Sequence, residues 1–219
     1  MKKLFIIANW KSHKTEEEAE VWLDAYKIKE APVAEKEVIL CGPFTLLSFL
    51  KACVVYNNSQ IKIGAQDVSP FEEGAYTGAV NAKQLKEFAS YVLIGHSERR
   101  ANFAETNEII TKKIQMAKQA DLIPILCVQG IDTPIPENVT MVAFEPIGAI
   151  GSGHPDSPED AEQVAKIIKE KHSVQYVLYG GSVTPEDVKR FTQMPSIDGV
   201  LVGGASLDPD KFTQIIHNS

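Results

Sequence analysis

Cysteine is scarce in this chain, and the three present, Cys41, Cys53 and Cys127, follow no ligand or disulfide spacing. That excludes a disulfide framework and a cysteine-based zinc site, and it fits a reducing, cytoplasmic compartment. An excess of positive charge is also missing: 22 Lys and Arg stand against 29 Asp and Glu, a net charge of −7. This balance argues against nucleic acid or an acidic membrane surface as the partner. No apolar run is long enough to span a bilayer. The N-terminal run Leu4–Ala8 is too short for a signal sequence and stops at Asn9-Trp10-Lys11, so it reads as a first strand. Linkers, low-complexity tracts and internal repeats are absent as well. Residues 1–219 are therefore expected to form one domain.

What is present is a regular alternation of short apolar runs with helical patterns. The runs Leu4–Ala8, Glu37–Cys41, Ile61–Ala65, Tyr91–Ile94, Ile123–Val128, Met141–Phe144, Tyr176–Tyr179 and Gly199–Val202 predict eight strands. They are mostly apolar on both faces, as strands covered by helices must be. Helix starts are marked between them. Thr15 with Glu18 forms a capping box ahead of the stripe Ala19, Trp22, Leu23 and Tyr26. Ser157-Pro158 and Thr184-Pro185 each place an N-cap before a proline at the first helical position. Further helices are expected over Phe44–Ala52, Ala82–Ala89, Thr106–Ala120 and Pro209–His217.

Eight strand–helix periods predict an α/β fold, a closed (β/α)8 barrel. The rival is a doubly wound open sheet, but the first strand lacks the Gly-x-Gly-x-x-Gly turn such sheets use for dinucleotides. One period is defective. Residues 128–140 carry Pro134 and Pro136 and no apolar stripe. This length allows a parallel crossover but not a full helix. A loop or single turn is expected where the fifth helix would stand.

Polar motifs fall just after the strands, where a barrel of this kind places its active face. The most informative is Glu145-Pro146 with Gly148, Gly151, Ser152 and Gly153, which follows the buried run Val139–Phe144. A carboxylate at a strand end can be partly desolvated and serve as a proton acceptor. Glycines behind it can form a mobile flap or an anion cradle. Asn9-Trp10-Lys11 follows the first strand and offers a cation, although an isolated lysine is usually a surface residue. Gly95-His96-Ser97-Glu98-Arg99-Arg100 follows the fourth and offers an acid or electrophile. The blander alternatives there are a structural histidine and a solvated ion-pair cluster. Tyr179-Gly180-Gly181-Ser182 and Val202-Gly203-Gly204-Ala205 follow the seventh and eighth strands, the habitual phosphate site of this architecture.

Taken together and in this order, these motifs resemble the triosephosphate isomerase family from about Leu4 to His217. The resemblance implies interconversion of dihydroxyacetone phosphate and D-glyceraldehyde 3-phosphate through an enediol(ate), in glycolysis and gluconeogenesis. It implies that Glu145 is the base, His96 a neutral electrophile, and Lys11 the cation facing the intermediate. Asn9 would lie at the carbonyl end and Glu98 would support the site. Gly151, Ser182, Gly203 and Gly204 would seat the phosphate, with Asn9 and Lys11 completing the substrate contacts. Neither a metal nor an organic cofactor is required. The segment from Pro146 to about Gly153 corresponds to the lid. Residues Gly64 to Gly78 resemble an interdigitating interface loop whose Thr77 would reach a neighbouring active site, implying a homodimer with a tetramer as the alternative.

Two departures stand out. Gly148 occupies the lid's first hinge, where the family usually has tryptophan. The shortened fifth period resembles archaeal members, whereas Gly95-His96-Ser97-Glu98 and the lid look bacterial. The thinned flank is expected to leave apolar surface for another subunit. An aldolase reading needs a Schiff-base lysine on a strand, and only Lys62 qualifies, without a surrounding motif. A barrel that merely binds phosphosugars is the non-enzymatic alternative.

Overall fold

In the computed structural model, which describes residues 2–26, 35–146 and 157–219, eight parallel strands close into a barrel in chain order. They are β1 (Leu4–Asn9), β2 (Lys36–Gly42), β3 (Lys62–Ala65), β4 (Tyr91–Ile94), β5 (Ile123–Val128), β6 (Met141–Phe144), β7 (Tyr176–Tyr179) and β8 (Gly199–Val202). Closure comes from β1 pairing with β8, Phe5 opposite Gly199 and Ala8 opposite Val202. Gly199 sits at φ +150°, and a Cβ there would lie 1.9 Å from the carbonyl oxygen of Phe5, so this seam admits only glycine.

Alternate side chains of each strand point to opposite faces. Phe5, Ile7, Ile39, Leu93, Ile125, Met141, Ala143, Leu178 and Leu201 fill the barrel. Ile6, Leu40, Val92, Leu126, Val142, Val177 and Val200 face the helices instead. This two-sided burial is why the strands read as nearly continuous apolar runs.

The helices are α1 (Glu16–Ala25), α2 (Leu47–Tyr56), α3 (Ala82–Lys86), α4 (Ser97–Asn102), α5 (Asn107–Gln119), α6 (Pro158–Lys171), α7 (Val188–Thr192) and α8 (Pro209–Asn218). The capping box of Thr15 and Glu18 forms as expected, and Ser157 caps α6 with Pro158 at its first turn. Several boundaries differ from the expected ones. The segment expected to be helical over Phe44–Ala52 starts as a 3-10 turn, Phe44–Leu46, and continues to Tyr56. The helix expected over Ala82–Ala89 ends at Lys86, because the amide of Ser90 is already bonded to Ile63 O at the start of β4. Thr184 does not cap α7. Its amide instead donates to Asp187 Oδ1 at 2.7 Å, and regular helix begins only at Val188.

Residues 129–140 contain turns and no helix, as the sequence predicts. The flank is thin but not bare. Val139 is buried and Ile135 packs against the core, while Ile123 at the start of β5 and Ile131 just after it remain 39% and 38% exposed, so part of the expected apolar surface is present.

Candidate active site

Glu145 leaves the end of β6 with its amide bonded to Val128 O at 2.7 Å. Its side chain is 1% exposed. Oε1 lies 2.9 Å from His96 Nε2, and Oε2 accepts the amide N–H of Ser97 at 2.9 Å. Oε2 is thus an acceptor, and Oε1 stands against the imidazole. Gly180 stands beside it, where a Cβ would come within 3.0 Å of Glu145 Cγ.

His96 follows β4 and is the N-cap of α4, its Nδ1 accepting the amide N–H of Glu98 at 3.2 Å. A nitrogen that accepts carries no proton, so this imidazole is neutral and holds its hydrogen on Nε2, facing Glu145. Arg100, from the same short helix, donates to Gly95 O at 2.8 Å and to Cys127 O at 3.3 Å, tying β4 to β5 behind the pair. Burial first, then the neighbouring Glu145 carboxylate, pushes the Cys127 thiol well up, so it stays protonated beside the base.

Lys11 adopts φ +52°, a left-handed conformation unusual for a lysine. Asn9 supports it by accepting the Lys11 amide N–H on Oδ1 at 3.0 Å. The ammonium lies 2.5 Å from Glu98 Oε1. The Lys11 Cε lies 3.4 Å from the position a Cβ would take at Gly203. Strain of this kind persists where the surroundings over-determine it, commonly at functional sites.

A cavity of about 680 Å³ unites these parts, lined among others by Asn9, Lys11, His96, Glu145, Ser182 and Gly203–Gly204. Of the site residues drawn from the sequence, Asn9, Lys11, His96, Glu145, Ser182, Gly203 and Gly204 line this cavity, and Glu98 reaches it through Lys11. Gly151 lies outside the described residues, as do Gly148, Ser152 and Gly153. An anionic ligand in an otherwise acidic protein would meet a lysine and two glycine-rich turns here.

Sequence reasoning gave no role to the Ser97 amide or Cys127, and read Gly180 as half of a glycine pair at the phosphate site, not as a neighbour of Glu145. Each stands at or just after a strand's C-terminal end, and that position was the available signal. It also missed the burial behind α4. Arg99 bonds Asp67 Oδ2 at 2.9 Å and Glu105 Oε1 at 2.5 Å, and Lys113 bonds Asp67 and Glu105 in turn. Arg99, for which a solvated cluster was the blander alternative, therefore belongs to a largely buried four-residue network.

Comparison with known proteins gives one consistent result. The family model described as triosephosphate isomerase matches residues 4–219. The chain is similar to "Triosephosphate isomerase" of Dictyoglomus turgidum at 39% identity, covering all of both chains. It is similar to those of Synechocystis sp. at 38% and Thermus thermophilus at 35%, covering 99% of each chain. The first alignment runs over 252 positions, so that relative carries segments this chain lacks.

Proposed function

The chain belongs to the triosephosphate isomerase family, and from that premise we propose how its own residues interconvert dihydroxyacetone phosphate and D-glyceraldehyde 3-phosphate. Glu145 removes a proton from the carbon beside the carbonyl and returns it to the neighbouring carbon. His96 donates from Nε2 to the carbonyl oxygen, so that charge developing there meets a hydrogen-bond donor. Lys11 offsets the negative charge of the enediolate and the phosphate, with Asn9 holding its backbone in place. Glu98 anchors the ammonium. Ser182, Gly203 and Gly204 seat the phosphate; Gly151 would complete that seat from outside the described residues.

The observation that carries this reading is the contact between Glu145 Oε1 and His96 Nε2 at 2.9 Å inside a cavity that also holds Lys11. A base and a neutral donor side by side can move one proton between carbons and another between oxygens. In the structure Glu145 is bonded to the Ser97 amide, and leaving that amide is the first movement the reaction asks of it.

Residues 1–219 act as one domain on this reading, supported by the pairing of β1 with β8. Two copies form a homodimer through the Gly64–Gly78 segment. Its stacked Phe71 and Tyr76 rings, 4.2 Å apart and substantially exposed, support this. A cytoplasmic location agrees with the free thiols of Cys41, Cys53 and Cys127. Among the described residues no helix is long and apolar enough to cross a membrane.

A coupled isomerase assay on wild type and Glu145→Asp tests the mechanism. Retracting the carboxylate by one methylene should lower kcat by about 10²-fold or more, while competition by inorganic phosphate survives. A variant that turns over like wild type would remove Glu145 from its assigned role.

A further inference from the structure

Both tryptophans of the chain aim their indole N–H at one oxygen. Trp10 Nε1 lies 3.2 Å, and Trp22 Nε1 3.1 Å, from the backbone carbonyl of Ser206. An indole N–H can only donate, and a buried one needs an acceptor; a carbonyl has two lone pairs and can serve both. Ser206 is fully buried in the 3-10 turn Gly204–Leu207 that follows the glycine pair after β8. The next carbonyl, that of Leu207, takes Lys14 Nζ at 3.1 Å. Three side chains from the β1–α1 region therefore anchor the far end of this turn.

The near end is fixed by Ser206 itself. Its amide and its Oγ donate to Gly203 O at 2.9 Å and 2.6 Å. The carbonyl and N–H of a trans peptide unit point in opposite directions. Holding the Gly203 carbonyl toward buried Ser206 therefore turns the Gly204 N–H the other way, toward the cavity that Gly203, Gly204 and Lys11 line.

We infer that Trp22, together with Trp10, is a positioning residue for the phosphate seat: its N–H on Ser206 O holds the turn that aims the Gly204 amide at the substrate's phosphate. This rests on the reading of Gly203–Gly204 as that seat. A packing role accounts for the ring alone. Trp22 stacks on Tyr26 at 4.9 Å, meets Trp10 edge-on at 5.1 Å and lies 6.0 Å from Phe212. A phenyl ring would keep most of those contacts and lose only the donor. Because Trp10 immediately precedes Lys11, the shared carbonyl also couples the cation after β1 to the glycine pair after β8.

The test is Trp22→Phe in the full chain, read as competitive inhibition by inorganic phosphate and as kcat and KM for triose phosphate. The phosphate Ki and KM should each rise about three- to tenfold, the effect of one lost hydrogen bond, with kcat retained. Ser206→Ala removes the Oγ link to Gly203 and should weaken phosphate in the same direction, which keeps the test decisive if Trp22→Phe folds poorly. Phe212→Leu disturbs the same aromatic cluster without touching Ser206; it should lower Tm and leave the phosphate Ki alone. Unchanged phosphate inhibition in Trp22→Phe and Ser206→Ala would overturn the clamp. So would Phe212→Leu weakening phosphate as much as Trp22→Phe does. A wild type that phosphate does not inhibit competitively would instead overturn the seat, and the clamp with it.

Discussion

Gly180→Ala should slow the enzyme by crowding its base. Gly180 follows β7 and donates its amide to Phe144 O at 2.7 Å, which holds it against the end of β6. A methyl there would stand 3.0 Å from Glu145 Cγ and 3.2 Å from Phe144 O. Gly180 does not have the positive φ that favours glycine, so the effect expected is steric. The carbonyl belongs to the strand end and cannot yield, so the Glu145 side chain must. Carbon atoms rest at roughly 3.5–4.0 Å from one another, which asks Cγ to retreat by about half an ångström or more. The carboxylate's bond to the Ser97 amide and its contact with His96, both 2.9 Å, would then lengthen. Glu145 must also leave the Ser97 amide to react, and the added methyl narrows the room it moves through. Misplacing a reacting group by about 1 Å costs about 10²-fold, so half of that should lower kcat by about tenfold. Overpacking should lower stability by about 1–3 kcal/mol. Steady-state assays with thermal melts read both quantities. Gly130→Ala, where an added methyl meets nothing within 4 Å, is the neutral control. A folded Gly180→Ala enzyme with wild-type kcat would refute the claim that the missing side chain at 180 keeps room for this base.

Two further substitutions probe the frame behind the site. Lys113 is 3% exposed between Asp67 and Glu105, so Lys113→Met leaves two buried carboxylates short of a cation. Urea denaturation should show a loss of about 3–5 kcal/mol, and a loss below about 1 kcal/mol would deny the network a structural role. At the barrel's base Glu37 accepts from Tyr91 and pairs with Lys3 at 2.5 Å. Burial alone would raise its pKa, but the bonds from Lys3 and Tyr91 outweigh burial and lower it from 4.5. A depressed carboxylate contributes stability above its unfolded pKa and loses it as pH falls through the folded one. Wild type should therefore lose Tm on acidification below pH 4.5, while Glu37→Gln starts lower at neutral pH and declines less steeply. Equal acid slopes in the two proteins would contradict this.

The barrel was legible because every strand is apolar on both faces and bounded by turn residues. The expected limits of β4 to β8 coincide with the observed ones, and β1 to β3 shift only at their ends. α4 escaped because Ser97-Glu98-Arg99-Arg100-Ala101-Asn102 has no apolar stripe and no buried residue. Its hold on the protein is ionic, through Arg99 to Asp67 and Glu105, partners not read as such from the sequence. The start of α7 was misread because Thr184-Pro185 has the chemistry of a cap, yet Asp187 takes the Thr184 amide first. The site was legible as types at strand ends: a carboxylate, an imidazole, a lysine and paired glycines. What could not be read was their bonding, such as the imidazole hydrogen set by the Glu98 amide, or Ser206 O shared by two indoles. Such contacts join residues 2 to 196 positions apart, and no local pattern encodes the longer ones.

The most direct test of the central claim, that Glu145 carries a proton between adjacent carbons, is solvent-hydrogen exchange. Dihydroxyacetone phosphate is incubated with enzyme in D2O, and carbon-bound deuterium is followed by NMR. Wild type should incorporate label next to the carbonyl as isomerisation proceeds, and Glu145→Gln, with the amide in the same place, should lose that incorporation by about 10²-fold or more. Label entering at the wild-type rate in Glu145→Gln would contradict the account, since another group would then be moving the proton.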